Sequence, residues 1–160
     1  MKRAEEIGIK GRFALLEPQI ARNFDIRLMI ALASGTYWRK ATPETRKRLA
    51  DSFLKFSAAT YAARFTGFSG ESFETVSTRK GPRGTQLVRT RLNLADGDSV
   101  PLIYVTRLRG DKWLIADILL EDGISEIAIR RSEYRNVLRK DGITALIRLL
   151  DDKTRKLLGP

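Results

Sequence analysis

Apolar residues recur at a helical interval through residues 4–66, alternate through 72–121, and return to the helical interval over 124–158. In the Ala4–Ile20 stretch, Ile7, Ile9, Phe13, Leu16 and Ile20 fit one or two helical segments, with Pro18 limiting continuity. Asp25 is placed to cap a helix through Ala33 that Gly35 ends, with Leu28, Met29 and Leu32 on one face. Thr42-Pro43-Glu44 is a start signal: a capping hydroxyl, a proline at the first helical position and an acid in the first turn. The helix it opens is predicted to reach about Phe65, with Leu49, Phe53, Phe56 and Ala63 on one side. Tyr61, Phe65 and Phe68 carry aromatic character to its end, where Gly67 and Gly70 break it.

The period then becomes two. Ser72–Arg79, Gln86–Leu94, Val100–Arg109 and Lys112–Glu121 read as four strands, linked by glycine-bearing turns short enough to make consecutive strands antiparallel. In the second, Val88, Thr90, Leu92 and Leu94 alternate with Arg89, Arg91 and Asn93, giving a core face and a basic wet face. The last strand differs: Trp113, Leu114, Ile115, Ala116, Ile118 and Leu119 make it apolar on both sides, so both faces are expected to be covered. After a turn at Glu121-Asp122-Gly123, Ile124 to Lys140 reads as a helix closed by Gly142, and Ile143 to about Leu158 as another. The order helices, meander, helices predicts one α+β domain over residues 1–160, a four-stranded antiparallel sheet packed against N-terminal and C-terminal helices.

Composition removes whole classes of chemistry. There is no cysteine and no histidine, which takes away the usual zinc, haem and iron–sulfur ligands and the base of a Ser/His or Cys/His pair. Ser69 in GFSGE and Ser125 in DGISE therefore make poor nucleophiles, and Ser125 is better placed as the N-cap of the helix after it. No enzyme activity and no cofactor is expected. The net charge of +11 admits nucleic acid, anionic headgroups or an acidic protein as partner. The arginines are scattered among acids, without a recognition helix or an RNP pattern, so nucleic acid is not expected. The opening MKRAEEIGIKG has no apolar h-region, and no signal peptide is read there.

A tryptophan-led strand with an internal aspartate, then Gly-x-Ser, then an arginine and an aromatic three residues on, resembles the MlaC-like periplasmic lipid-transfer family, which includes toluene-tolerance auxiliary proteins. The matching residues are Trp113, Asp117, Gly123, Ser125, Arg131 and Tyr134. Phe24-Asp25-Ile26, Gly35, Trp38-Arg39, Thr42-Pro43-Glu44 and Tyr61 extend the likeness over roughly Arg12 to Leu150. The variant DGISEIAIRRSEY is most similar to the hopanoid-associated branch, that of HpnM.

The resemblance implies a strongly bent, cystatin/NTF2-like sheet with acyl chains held between sheet and helices. It further implies an exported, periplasmic protein, its signal already removed. Such a protein would shuttle a phospholipid or hopanoid between an inner-membrane lipid transporter (MCE/ABC-type or RND-type) and an outer-membrane lipid acceptor. A carrier is needed because a two-chain lipid exposes about 30 methylenes, at about 0.8 kcal/mol each, when it enters water. The alternative is a basic NTF2-like module that binds protein or nucleic acid without lipid. Ala128-Ile129-Arg130 stands where the family commonly has more polar and aromatic residues, which leaves phospholipid and hopanoid both open.

Any one aromatic here is ordinary core, but together they outnumber what a short sheet needs for closure. A pocket is therefore expected between the Pro43–Phe65 helix, the inner sheet face and the C-terminal helices. The helix would contribute Phe53, Phe56, Ala59 and Ala63, the sheet Tyr104, Trp113 and Ile115, and the C-terminal helices Tyr134, Leu146 and Leu150. Trp38, Arg39, Asp117, Ser125 and Arg131 are assigned to its framework and mouth. Asp117, set in an apolar strand, is expected to meet an arginine or a tyrosine hydroxyl.

Overall fold

The computed structural model describes residues 6–120 and 123–159. Its elements are α1 (Gly8–Asn23), α2 (Ile26–Ser34), α3 (Thr36–Lys40), α4 (Pro43–Arg64), β1 (Ser72–Lys80), β2 (Thr85–Asn93), β3 (Ser99–Arg109), β4 (Lys112–Leu119) and α5 (Glu126–Leu158). The strands form one antiparallel meander in the order β1-β2-β3-β4. The predicted α+β architecture is the one observed, with strand ends displaced by a residue or two. Ala4, Glu121 and Asp122, which bounded predicted elements, lie outside the described residues.

The caps form as their chemistry dictates. Asp25 accepts the Leu28 amide at 3.2 Å, Thr42 accepts the Thr45 amide at 3.2 Å, and Ser125 accepts the Ala128 amide at 3.0 Å. Helix α1 does not stop at Pro18. Pro18 and Ala14 are both exposed, so the carbonyl that proline leaves without a donor can face water. On the buried side the Arg12 Nε donates to the Ala62 carbonyl at 2.8 Å and ties α1 to the end of α4. The short helix α3 was not foreseen. Its end is satisfied from α4, where Arg46 donates through Nε to the Trp38 carbonyl at 2.8 Å and through Nη2 to the Arg39 carbonyl at 2.7 Å. In α5 the backbone leaves the helix at Gly142 (φ 75°, ψ −171°), so the predicted break stands there within one long element.

The buried apolar core is a helical one. Met29, Ile30, Leu49, Phe53, Tyr134 and Leu146 belong to a cluster drawn from α2, α4 and α5, and no strand residue is part of it. The sheet attaches at its β4 edge. There the Asp25 amide donates to the Ile115 carbonyl at 2.8 Å, and Asp25 Oδ2 lies 3.0 Å from Nε of Arg109. This corrects the expectation for β4. The link between α1 and α2 covers its edge and Ala116 and Ile118 are buried, but Trp113 is 44% exposed and Leu114 and Leu119 are only half-buried, so the cover is partial.

Candidate functional site

Because the helices close on one another, the inner sheet face is left standing off from them. The gap is a cavity of about 540 Å³. Leu16, Ile20 and Phe24 form its α1 side, and Tyr61, Arg64 and Phe65 come from the end of α4. The sheet presents Phe73, Leu92, Leu102, Tyr104 and Ile118, and the first turns of α5 present Glu126, Ile129, Arg130 and Glu133. Tyr61 stacks on Phe65 with ring centres 5.9 Å apart and meets Phe24 at 6.5 Å. Phe73, on the outermost strand, is 63% exposed, and with Phe65 and Leu120 it gives the opening a greasy lip.

Gln19, Asn23 and Arg64 add polar groups to the wall, and its most sheltered charge is Arg130. Arg130 lies between Glu133 (Nη1–Oε2 3.1 Å) and Glu126 (Nη2–Oε1 3.5 Å), with its guanidinium carbon 5.2 Å from the centre of the Phe56 ring. Burial works against the Arg130 charge, but Tyr134 and the two carboxylates outweigh it and the net displacement is upward. Burial, reinforced by Glu126, pushes the Tyr61 and Tyr104 hydroxyls above their ordinary range. Both tyrosines therefore stay neutral at physiological pH and present hydroxyl donors beside an apolar space.

Of the ten predicted wall residues, Tyr104 lines this cavity. Phe53, Phe56, Tyr134, Leu146 and Leu150 are packed into the helical core instead, and Phe53 borders only a crevice of about 10 Å³ between α2, α4 and α5, enough for no acyl chain. Ala59 is fully buried away from the cavity, and Ala63 and Ile115 are half-buried without lining it. Trp113 lies at the exposed start of β4. Trp38 packs against the core, while Arg39 and Arg131 are exposed. Sequence reading passed over the α1 wall, although Leu16 and Ile20 carry the required spacing. It also treated Arg130 as a departure from pattern, when Arg130 is the charged centre of the cavity wall.

Asp117 meets neither an arginine nor a tyrosine. It accepts the Ser125 hydroxyl at 2.5 Å and the amides of Ile118 and Ile127 at 2.8 and 3.1 Å. It thereby clamps the end of β4 to the start of α5, the helix that carries the polar wall residues. Asp117→Ala leaves these donors without an acceptor and should cost about 1–3 kcal/mol in urea unfolding. Ser125→Ala removes one of the three bonds and the cap, and should cost about 1 kcal/mol.

The MlaC protein family model matches residues 2–152. The chain belongs to the MlaC family. No curated protein matches it by sequence. Among solved structures, this MlaC-family chain is similar to the phospholipid-binding protein from Ralstonia solanacearum, solved in complex with a phospholipid. The two share 22% identity and a TM-score of 0.84, over 98% of this chain and 87% of that one. At that identity the likeness establishes the fold. Among the described residues, no helix is long and apolar enough to cross a membrane.

Proposed function

We propose that this protein is a periplasmic carrier that holds the acyl part of a phospholipid in the cavity between sheet and helices and performs no chemistry on it. The observation that carries the reading is the 540 Å³ space beside an already complete helical core. A folded chain fills its interior unless something else is to fill it. At roughly 30 Å³ per water-sized group, a volume close to that of a methylene, the cavity admits about 18 such groups, or one long acyl chain. Removing that chain from water is worth about 14 kcal/mol gross at about 0.8 kcal/mol per methylene. The second chain of a phospholipid would then run along the lip formed by Phe65, Phe73 and Leu120. Membership of the MlaC family and the phospholipid held by the Ralstonia protein support the same reading.

A hopanoid is the second reading for the same cavity, favoured by the likeness of residues 122–134 to the hopanoid-associated branch and by Ile129, an apolar residue on the wall. Native mass spectrometry with lipid extraction distinguishes the two: glycerophospholipid masses at one per protein are expected, hopanoid masses move the assignment, and a lipid-free protein removes it. The carrier reading also needs docking partners at both membranes. Arg89, Arg91 and Arg107 are exposed on the sheet of a protein with net charge +11, which suits acidic partners or headgroups. Lipid delivery should therefore slow as salt rises from about 0.05 to about 0.5 M, over which the Debye length shrinks roughly threefold. A rate that stays flat would remove electrostatic docking.

A further inference from the structure

The cavity wall is electrically balanced in a chain that is not. Its four charged residues are Arg64, Arg130, Glu126 and Glu133, which sum to zero, whereas the whole sequence carries +11. The three on α5 are also ordered from inside to outside. The Arg130 side chain is 12% exposed, that of Glu126 22% and that of Glu133 43%. On α5 the cation is the most sheltered of the three and the carboxylates are more open to water, while the fourth charge, Arg64 at the end of α4, is exposed.

We infer that the cavity selects lipids with a zwitterionic, amine-bearing headgroup over anionic ones with the same chains. This inference rests on the lipid-carrier reading. In an amine-bearing phospholipid the phosphate adjoins the glycerol and the ammonium lies farther out. With its chain in the cavity, such a lipid brings phosphate toward Arg130 and ammonium toward Glu133, matching the order of charges on α5. An anionic head of the glycerol type brings the same phosphate without the cation. The Arg130 guanidinium already serves two carboxylates, at 3.1 and 3.5 Å, so the added negative charge meets a triad of net charge −1 whose outermost member repels it. The overall basic charge would by itself favour the anionic lipid, so the two influences predict opposite outcomes.

The test offers delipidated protein an equimolar detergent solution of palmitoyl-oleoyl phosphatidylethanolamine and phosphatidylglycerol, re-isolates it and measures the ratio retained. Mixed micelles avoid a charged vesicle surface that would collect a basic protein regardless of its cavity. Wild-type protein is expected to retain the ethanolamine lipid in excess by roughly threefold or more, the scale of one or two partly exposed ion pairs. Glu133→Gln should reduce that excess, and E126Q/E133Q, with only arginines left charged on the wall, should reverse it. Asp51→Asn removes an exposed carboxylate paired with Lys47 on α4, nearly three helical turns before the cavity residue Tyr61, and should leave the ratio unchanged. If the double variant fails to fold, Glu133→Gln alone decides, since its carboxylate is the most exposed of the three. A wild-type preference for phosphatidylglycerol, an even ratio, or a ratio unmoved by these variants overturns the selectivity and leaves the carrier standing. Retention of neither lipid overturns both.

Discussion

Leu102→Trp and Ile129→Trp are expected to strip the purified protein of lipid while leaving it folded. Both side chains are half-buried on the cavity wall, one on the sheet and one on α5, and each faces space that no protein atom occupies. An indole there replaces lipid volume without displacing core atoms. Retained lipid should fall about tenfold or more, and the melting temperature should move by no more than about 3 °C, the scale of a change under 1 kcal/mol in a chain of this size. Ala59→Phe provides the contrast. Ala59 is fully buried in α4 and does not line the cavity, so the larger ring must push aside packed neighbours. Overpacking of that kind costs about 1–3 kcal/mol, and lipid per folded molecule should stay near the wild-type value. Melting temperature and extracted lipid, measured on the same preparations, separate the two behaviours. If Leu102→Trp loses stability and keeps its lipid, the space is not the cargo site.

Those variants also mark the line between what could be read from residue order and what could not. Local chemistry was legible: Thr42 caps α4, Ser125 caps α5, Gly142 interrupts α5, and alternation locates the strands to within a residue or two. These features depend on neighbours in sequence. Phe53 and Leu102, by contrast, both read as inward apolar residues, yet the first sits in a closed core and the second faces open space. Periodicity reports which way a side chain points and says nothing about how far away the opposite surface is. That distance is set by how α2, α4 and α5 pack on one another and by where the Phe24-Asp25 link fastens on β4. Arg130 shows the same limit. Its spacing from Glu126 and Glu133 fits helical ion pairs, but only the fold turns that triad toward a cavity. The partner of Asp117 was misread because the strand pattern suggested a carboxylate buried among side chains, whereas the returning chain brings Ser125 and the Ile127 amide onto it beside the adjacent Ile118 amide.

The separation of core from cavity predicts the second large effect. Leu146 and Leu150 lie one helical turn apart on α5, both completely buried in the cluster with Leu49, Phe53 and Tyr134, and neither reaches the cavity. Leu146→Ala or Leu150→Ala removes apolar contacts and leaves a void that rigid helices cannot close, which costs about 2–5 kcal/mol. In a domain of this length each kcal/mol lowers the melting temperature by about 2–4 °C, so the loss should be plain in a thermal melt. Lipid bound per folded molecule should nevertheless remain at the wild-type level below the transition, because the walls that touch the chain come from α1, the end of α4, the sheet and the first turns of α5. Had these leucines lined the lipid site, truncation would have enlarged it, and longer or additional chains would be extracted with little loss of stability. A stable Leu146→Ala protein with altered lipid content would therefore move the site into the helical core and reverse the assignment made from the cavity.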